Sequence, residues 1–193
     1  MGVARYTYHE LCSQYNSPPR TYHNLTHIAD CLTEFDAARH LATNPDAIEF
    51  AIWFHDAVYD SKAKDNEEKS AELAQTVLSH AGLSGEFIST VSQLILATKH
   101  NQPPKDADTA LLIDVDLSIL GQPASRFDRY EADIRNEYSW VADKDFTAGR
   151  SAVLKSFLGR QKIYATDFFQ QKYEIAAREN LKRSLEQLGN FRS

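Results

Sequence analysis

Glycine and proline are scarce in this chain, at 7 and 6 of 193 residues. A β-sandwich or barrel of that length needs many turns, and turns draw on those two residues, so the scarcity argues for long helices. Cysteine is scarcer still. Cys12 and Cys31 are the only two, and their spacing is that of neither a zinc ribbon nor a disulfide framework. Two such thiols fit a reducing cytosol. No run approaches the roughly 18 apolar residues that a membrane span requires. The opening residues MGVARYTYHELC carry no basic-then-apolar leader pattern, so a cytoplasmic protein without a membrane partner is expected. Positive charge is also short. Lys and Arg number 21 against 27 Asp and Glu, a net charge of −6. That balance offers no broad basic surface to a nucleic-acid duplex, although it is compatible with a local basic pocket. Repeats, low-complexity tracts and Pro/Gly/Ser-rich linkers are absent as well, so residues 1–193 read as one domain.

What the chain does have is apolar content, 42% of its residues, enough to bury a core. Several helix starts are legible. Asn44-Pro45-Asp46 supplies an N-cap, a proline suited to the first helical position and a first-turn acid. Asp65-Asn66-Glu67-Glu68 resembles a capping box. Thr166-Asp167 opens a last long helix whose Phe169, Tyr173, Ala177, Leu181, Leu185 and Leu188 recur on one face. Breakers fall at Ser17-Pro18-Pro19, Gly82 to Gly85, Pro103-Pro104 and Gly121 to Pro123, and the segments between them make about nine helices. One stretch resists this reading. Ile113, Val115, Leu117 and Ile119 alternate with Asp114, Asp116 and Ser118, which alone is a strand pattern.

The chemistry concentrates in residues 47–60, AIEFAIWFHDAVYD. As a helix this segment is apolar nearly all round and therefore central, yet it carries His55, Asp56 and Asp60. A buried ionised carboxylate is costly unless it is paired or coordinates a metal. An isolated His-Asp pair most often belongs to a hydrogen-bonded core. Here, however, two further apolar segments also bury such groups: PPRTYHNLTHIADCL, with His23 and His27 a helical turn apart, and LLIDVDLSILG, with Asp114 and Asp116. A mixed nitrogen and oxygen set suits Mn²⁺, Fe²⁺, Co²⁺, Ni²⁺ or Zn²⁺ better than Ca²⁺, with Mg²⁺ admissible.

The order His, then His-Asp, then Asp resembles the HD superfamily of metal-dependent phosphohydrolases. PPRTYHNLTH, FHDAVYD, NEEKSAELA, ATKH, DVDLSILG and GRSAVLKSFLGRQKIY look like a bacterial branch of predicted HD phosphohydrolases. The likeness covers most of the chain. It implies an all-α, single-domain helical bundle of the HD-domain type, and it overrules the strand pattern at 113–119. It implies one divalent transition metal held by His27, His55, Asp56 and one acid of the Asp114/Asp116 pair. Asp116 is preferred because the second acid of such a pair usually takes the ligand role in related HD domains. By the same resemblance the later histidine, His27, is preferred over His23.

The expected activity is hydrolysis of a phosphate ester or anhydride in a small molecule, with nucleotides the first class to consider. In related alarmone hydrolases the motif continues HDxxED. Here it is HDAVYD, with Tyr59 in place of the glutamate, so that mechanism does not transfer directly. Asp60 is a candidate to hold water or a ligand histidine, or else to cap or pair near Lys62 and Lys64. Glu67 is a candidate supporting acid or an ordinary helix-start acid. Lys99 and His100 are candidates for phosphate binding and for protonating a leaving oxygen; His100 is alternatively a second-metal ligand. Arg20 is expected to fork onto phosphate, with Tyr22 and Asn24 beside it on the substrate side. Arg150, Arg160 and Tyr164 are weaker candidates, and Asn180 is expected to be a structural hydrogen-bonder. Two alternatives to a hydrolase stay open: a non-hydrolytic nucleotide- and metal-binding regulatory module, and a di-iron HD oxygenase that would need further histidines such as His80 and His100. Homo-oligomer formation is left open by the sequence.

Overall fold

A computed structural model describes residues 3–18 and 20–190 of the chain. Among these the protein is all-α, with nine α-helices and no strand. The helices are α1 (Val3–Tyr15), α2 (Leu25–Ala38), α3 (Pro45–Phe54), α4 (Asn66–His80), α5 (Gly85–Ala97), α6 (Ala107–Asp116), α7 (Ala124–Glu137), α8 (Asp143–Leu158) and α9 (Asp167–Asn190). Short 3₁₀ segments follow α2 at Arg39–Leu41 and α6 at Leu117–Gly121. The contacts divide the chain into two compact units, the first ending at Asp116 and the second beginning at Leu117. None of the described helices is long and apolar enough to cross a membrane.

In the first unit α3 packs against α2, α4, α5 and α6. Its start follows the sequence signals. Asn44 Oδ1 accepts from Ala47 N at 3.2 Å, and Pro45 occupies the first turn, where no backbone donor is needed. Ala47, Ile48, Ala51, Ile52 and Phe54 are buried; each of the larger three contributes roughly 1.5–3 kcal/mol by leaving water.

The end of α3 departs from the sequence expectation. The helix stops at Phe54, so His55 and Asp56 lie in the turn that follows it. No glycine or proline breaks the chain there. Instead, groups from distant positions capture the backbone that would have continued the helix. Arg20 Nη1 donates to the Asp56 carbonyl at 2.6 Å and Nη2 to the Ala57 carbonyl at 2.9 Å. Ser70 Oγ accepts from Val58 N at 3.0 Å and donates to Val58 O at 3.2 Å.

The alternating stretch at 113–119 is helical: α6 runs to Asp116 and the chain tightens into the 3₁₀ segment. Leu111, Leu112, Ile113, Asp114 and Val115 are all buried. A helix packed against α2, α3 and α5 has little solvent face, and its apolar pattern then carries no helical period. The expected capping box at α4 is not formed. The Asp65 side chain caps nothing and pairs with Lys69 at 3.0 Å, while Glu68 bonds Lys99. An i,i+4 ion pair and an ion pair to α5's end have taken the two side chains a capping box needs.

In the second unit the 3₁₀ segment Leu117–Gly121 packs on α7 and α9. Asn180 has the structural role expected of it, donating to Leu120 O at 2.9 Å and Gln122 O at 2.8 Å. Thr166 Oγ1 caps α9 at Phe169 N, and Phe169, Tyr173, Ala177 and Leu181 are buried along its inner face. The three weaker candidates are all engaged here. Arg150 pairs with Glu131 and faces the Tyr130 ring, Arg160 lies over Phe157, and the buried Tyr164 hydroxyl donates to Leu117 O.

Candidate metal centre

Three segments of the first unit bring four polar side chains to one place. His27 comes from the first turn of α2, which Asn24 caps by accepting from Thr26 N at 2.8 Å. His55 and Asp56 come from the turn after α3, and Asp116 is the last residue of α6. The Nε2 atoms of His27 and His55 lie 3.1 Å apart. Asp56 Oδ2 is 3.1 Å from His55 Nε2 and 3.6 Å from His27 Nε2. Asp116 Oδ1 is 3.3 Å from His27 Nε2 and 3.6 Å from His55 Nε2. The imidazoles are almost fully buried, whereas both carboxylate side chains retain 16% exposure. The cluster is thus lined inside by nitrogen and partly open on its acid side.

These separations fit a shared cation. Ligand atoms about 2.1 Å from one ion stand roughly 3.0 Å apart in octahedral and 3.4 Å apart in tetrahedral arrangement, and the spacings here run from 3.1 to 3.6 Å. Orientation agrees. His55 Nδ1 donates to the Ile52 carbonyl at 2.8 Å, which turns Nε2 and its lone pair toward the centre. The electrostatics agree too. Burial works against charge on His55, but Asp56 and Asp116 outweigh it and hold its pKa well above the ordinary histidine value. Burial likewise favours neutral carboxyls, yet His55, His23 and His27 hold Asp56 well below the usual carboxylate range, and His100, His27 and His55 do the same for Asp116. Two ionised carboxylates thus face the two buried imidazoles.

His100 joins this cluster. Its Nε2 lies 2.8 Å from Asp116 Oδ2, so one carboxylate oxygen faces His27 and His55 and the other faces His100. His100 is the one described non-glycine residue with positive φ, at 54°. Left-handed backbone costs an L-residue roughly 1–2 kcal/mol, a strain characteristic of side chains aimed into a site.

The remaining expected residues are placed differently. Arg20 lies under the His55-Asp56 turn with its Nη atoms on the Asp56, Ala57 and His23 carbonyls, between the rings of Tyr15 and Tyr59. Tyr22 is buried with its ring 4.9 Å from that of His27. His23 precedes α2 and stacks on Tyr59 at 4.1 Å, which leaves His27 as the histidine at the centre. Asn24 uses its amide for the cap, the oxygen accepting from Thr26 N and the nitrogen donating to Thr21 O. Lys99 pairs with Glu68, and Glu67 is 3.9 Å from the same ammonium. Asp60 is exposed and organises its own loop, accepting from Lys62 N at 2.9 Å. His80 is exposed at the end of α4 and is not in the cluster. Asp114 is completely buried two residues before Asp116, roughly 200° around the helix at 3.6 residues per turn; Asp116 is the acid at the centre.

One further side chain of the cluster is not singled out by the sequence motifs. Cys31, a turn beyond His27 on α2, is buried with its Sγ 3.7 Å from His27 Nδ1. The signal was the i,i+4 spacing of His27 and Cys31, which puts both on one helix face. His27, His55 and Asp56 form one group able to hold a metal, and His27, Cys31 and Asp116 form a second. No family model, curated protein or solved structure matches the chain.

Proposed function

We propose that the chain is a metal-dependent phosphohydrolase of the HD superfamily acting on a small phosphorylated molecule, with nucleotides the first class to test. The observation that carries this reading is the convergence of His27, His55, Asp56 and Asp116. These are the residues that the resemblance to the HD superfamily implies, drawn together from three separate segments. The ion is one divalent transition metal, from Mn²⁺, Fe²⁺, Co²⁺, Ni²⁺ and Zn²⁺, with Mg²⁺ as the hard alternative. When bound it supplies Lewis acidity to a water and to a phosphoryl group.

The protein residues divide the remaining work. His27 and His55 offer ring nitrogens from the buried side, and Asp56 and Asp116 supply the charge that retains the ion. His100 stands at the half-buried edge with Nε2 on Asp116, the group suited to hand a proton to a leaving oxygen. The test is a screen of purified protein with Mn²⁺, Mg²⁺, Co²⁺ and Ni²⁺ against nucleotides and phosphate esters, reading free phosphate. Metal-dependent release that disappears in His55→Ala is expected; equal release by both proteins overturns the reading.

A second reading, a regulatory module that binds a nucleotide without hydrolysing it, is favoured by a specific observation. Arg20 and Lys99, the cations expected for phosphate, already have partners in backbone carbonyls and in Glu68. That reading predicts that nucleotide raises the melting temperature of the metal-loaded protein with no phosphate released under any metal.

A further inference from the structure

Cys31 differs in kind from the other groups at the centre. Its sulfur lies 3.7 Å from His27 Nδ1 and 3.8 Å from His27 Nε2, and the side chain is 2% exposed. His27, Cys31 and Asp116 present ligand atoms within 4.8 Å of one another, and two of these three also belong to the histidine–carboxylate cluster. A cysteine that only fills space behaves as a small hydrophobe, and it needs no imidazole nitrogen and carboxylate converging on its sulfur.

We propose that Cys31 is a conditional ligand of the metal centre. With a soft or borderline divalent ion (Co²⁺, Zn²⁺ or Cd²⁺) its sulfur joins His27 and Asp116 in the ligand set. With Mg²⁺ or Mn²⁺ it stays a neutral thiol outside that set. The inference rests on the metal-centre reading above and deepens it by assigning an ion preference. On binding, the S–H bond breaks, its proton leaves to solvent, and a sulfur lone pair forms the bond to the ion; nothing is oxidised or reduced. The preference follows from donor softness. Thiolate favours the later, more polarisable ions, while carboxylate and water suit the hard ones. Only the intact chain, with α2 and α6 folded together, brings His27, Cys31 and Asp116 to one place.

The test titrates Co²⁺ into the full chain and its Cys31→Ser variant, following near-ultraviolet sulfur-to-cobalt charge-transfer absorption. Calorimetry on both proteins gives the affinities for Cd²⁺ and Mn²⁺. The expected result is an intense band in the wild type that is missing in the variant although Co²⁺ still binds. The ratio of Cd²⁺ to Mn²⁺ affinity should fall by at least about tenfold in the variant. Identical spectra and an unchanged ratio overturn the inference and leave the histidine–carboxylate centre standing. Failure of both proteins to take up Co²⁺ overturns the inference together with the metal-centre reading. Should Cys31→Ser not fold, Cys31→Ala carries the same comparison, because alanine asks for no hydrogen-bond partner in that buried position.

Discussion

Arg20 reaches Asp56 through the peptide rather than through the carboxylate: its Nη1 donates to the Asp56 carbonyl oxygen at 2.6 Å, while Nη2 holds Ala57 O at 2.9 Å. The guanidinium thereby fixes the turn on which His55 and Asp56 stand, and the rings of Tyr15 and Tyr59 flank it. The sequence suggests a phosphate fork at this position, which would leave metal content untouched on mutation. The observed contacts reverse that expectation. Arg20→Ala should lower metal affinity by about 10- to 100-fold, the usual consequence of losing a group that orients ligands. It should also destabilise the protein by roughly 2–4 kcal/mol, since buried carbonyls lose charged donors. Arg20→Lys should recover only part of this, because an ammonium lacks the planar fork. Metal content and chemical denaturation of the three proteins decide the matter. Unchanged metal content in Arg20→Ala would restore the phosphate role.

A preformed centre binds its ion in the folded state alone, so Mn²⁺ or Co²⁺ should raise the melting temperature by mass action. At a hundredfold excess over Kd the increment is about 2.7 kcal/mol. His55→Ala should abolish that increment. It should also destabilise the protein without added metal, since the imidazole is 2% exposed and its Nδ1 bonds Ile52 O. A melting-temperature rise of the same size in the variant would place the metal elsewhere.

Asp114 and Asp116 stand two residues apart on α6, and they predict opposite phenotypes. Asp116→Asn keeps the volume but removes a charge whose two oxygens face His27 and His100. Metal affinity should drop by about two orders of magnitude, or roughly 2.7 kcal/mol. Asp114→Asn should retain the metal and show its cost in stability, the residue being wholly buried. Isothermal titration of both variants tests this, and the reverse pattern would assign the ligand to Asp114.

The parts of this molecule written in local chemistry are legible in its sequence. Asn44-Pro45 starts α3, Thr166 starts α9, and the His/His-Asp/Asp order picks out the residues that meet at the centre. What was illegible is decided by groups far apart along the chain. The end of α3 is set by Arg20 and Ser70, which lie 36 and 12 residues from the carbonyls and amide they capture. Asp65 caps nothing because Lys69 takes it, and Lys99 is spent on Glu68. Cys31 shares a helix face with His27 by its spacing, but its place in the cluster depends on α6 bringing Asp116 to it.

Gly121 illustrates the same distinction and yields the last prediction. In the sequence it reads as a breaker ahead of Pro123. In the structure its φ is not positive, so no left-handed backbone demands glycine. What demands it is room: a Cβ at 121 would stand 2.4 Å from Tyr173 Cβ and 2.7 Å from Tyr173 Cγ. The nearest atom is the root of the side chain on α9, which no rotamer change can move, so relief requires backbone displacement between the 3₁₀ segment and that helix. Those elements are also tied by Asn180 to Leu120, and Tyr164, just ahead of α9, bonds Leu117. A shift therefore strains buried hydrogen bonds together with the packing. Overpacking usually costs about 1–3 kcal/mol and more where nothing can yield, so Gly121→Ala should fall at or beyond the upper end of that range. Exposed Gly149, where an added Cβ meets nothing within 4 Å, supplies the control. On α8, Gly149→Ala should stabilise by up to about 1 kcal/mol through helix propensity. Denaturant midpoints of the two variants measure the contrast. Equal and small effects would mean that the close approach to Tyr173 is relaxed in solution.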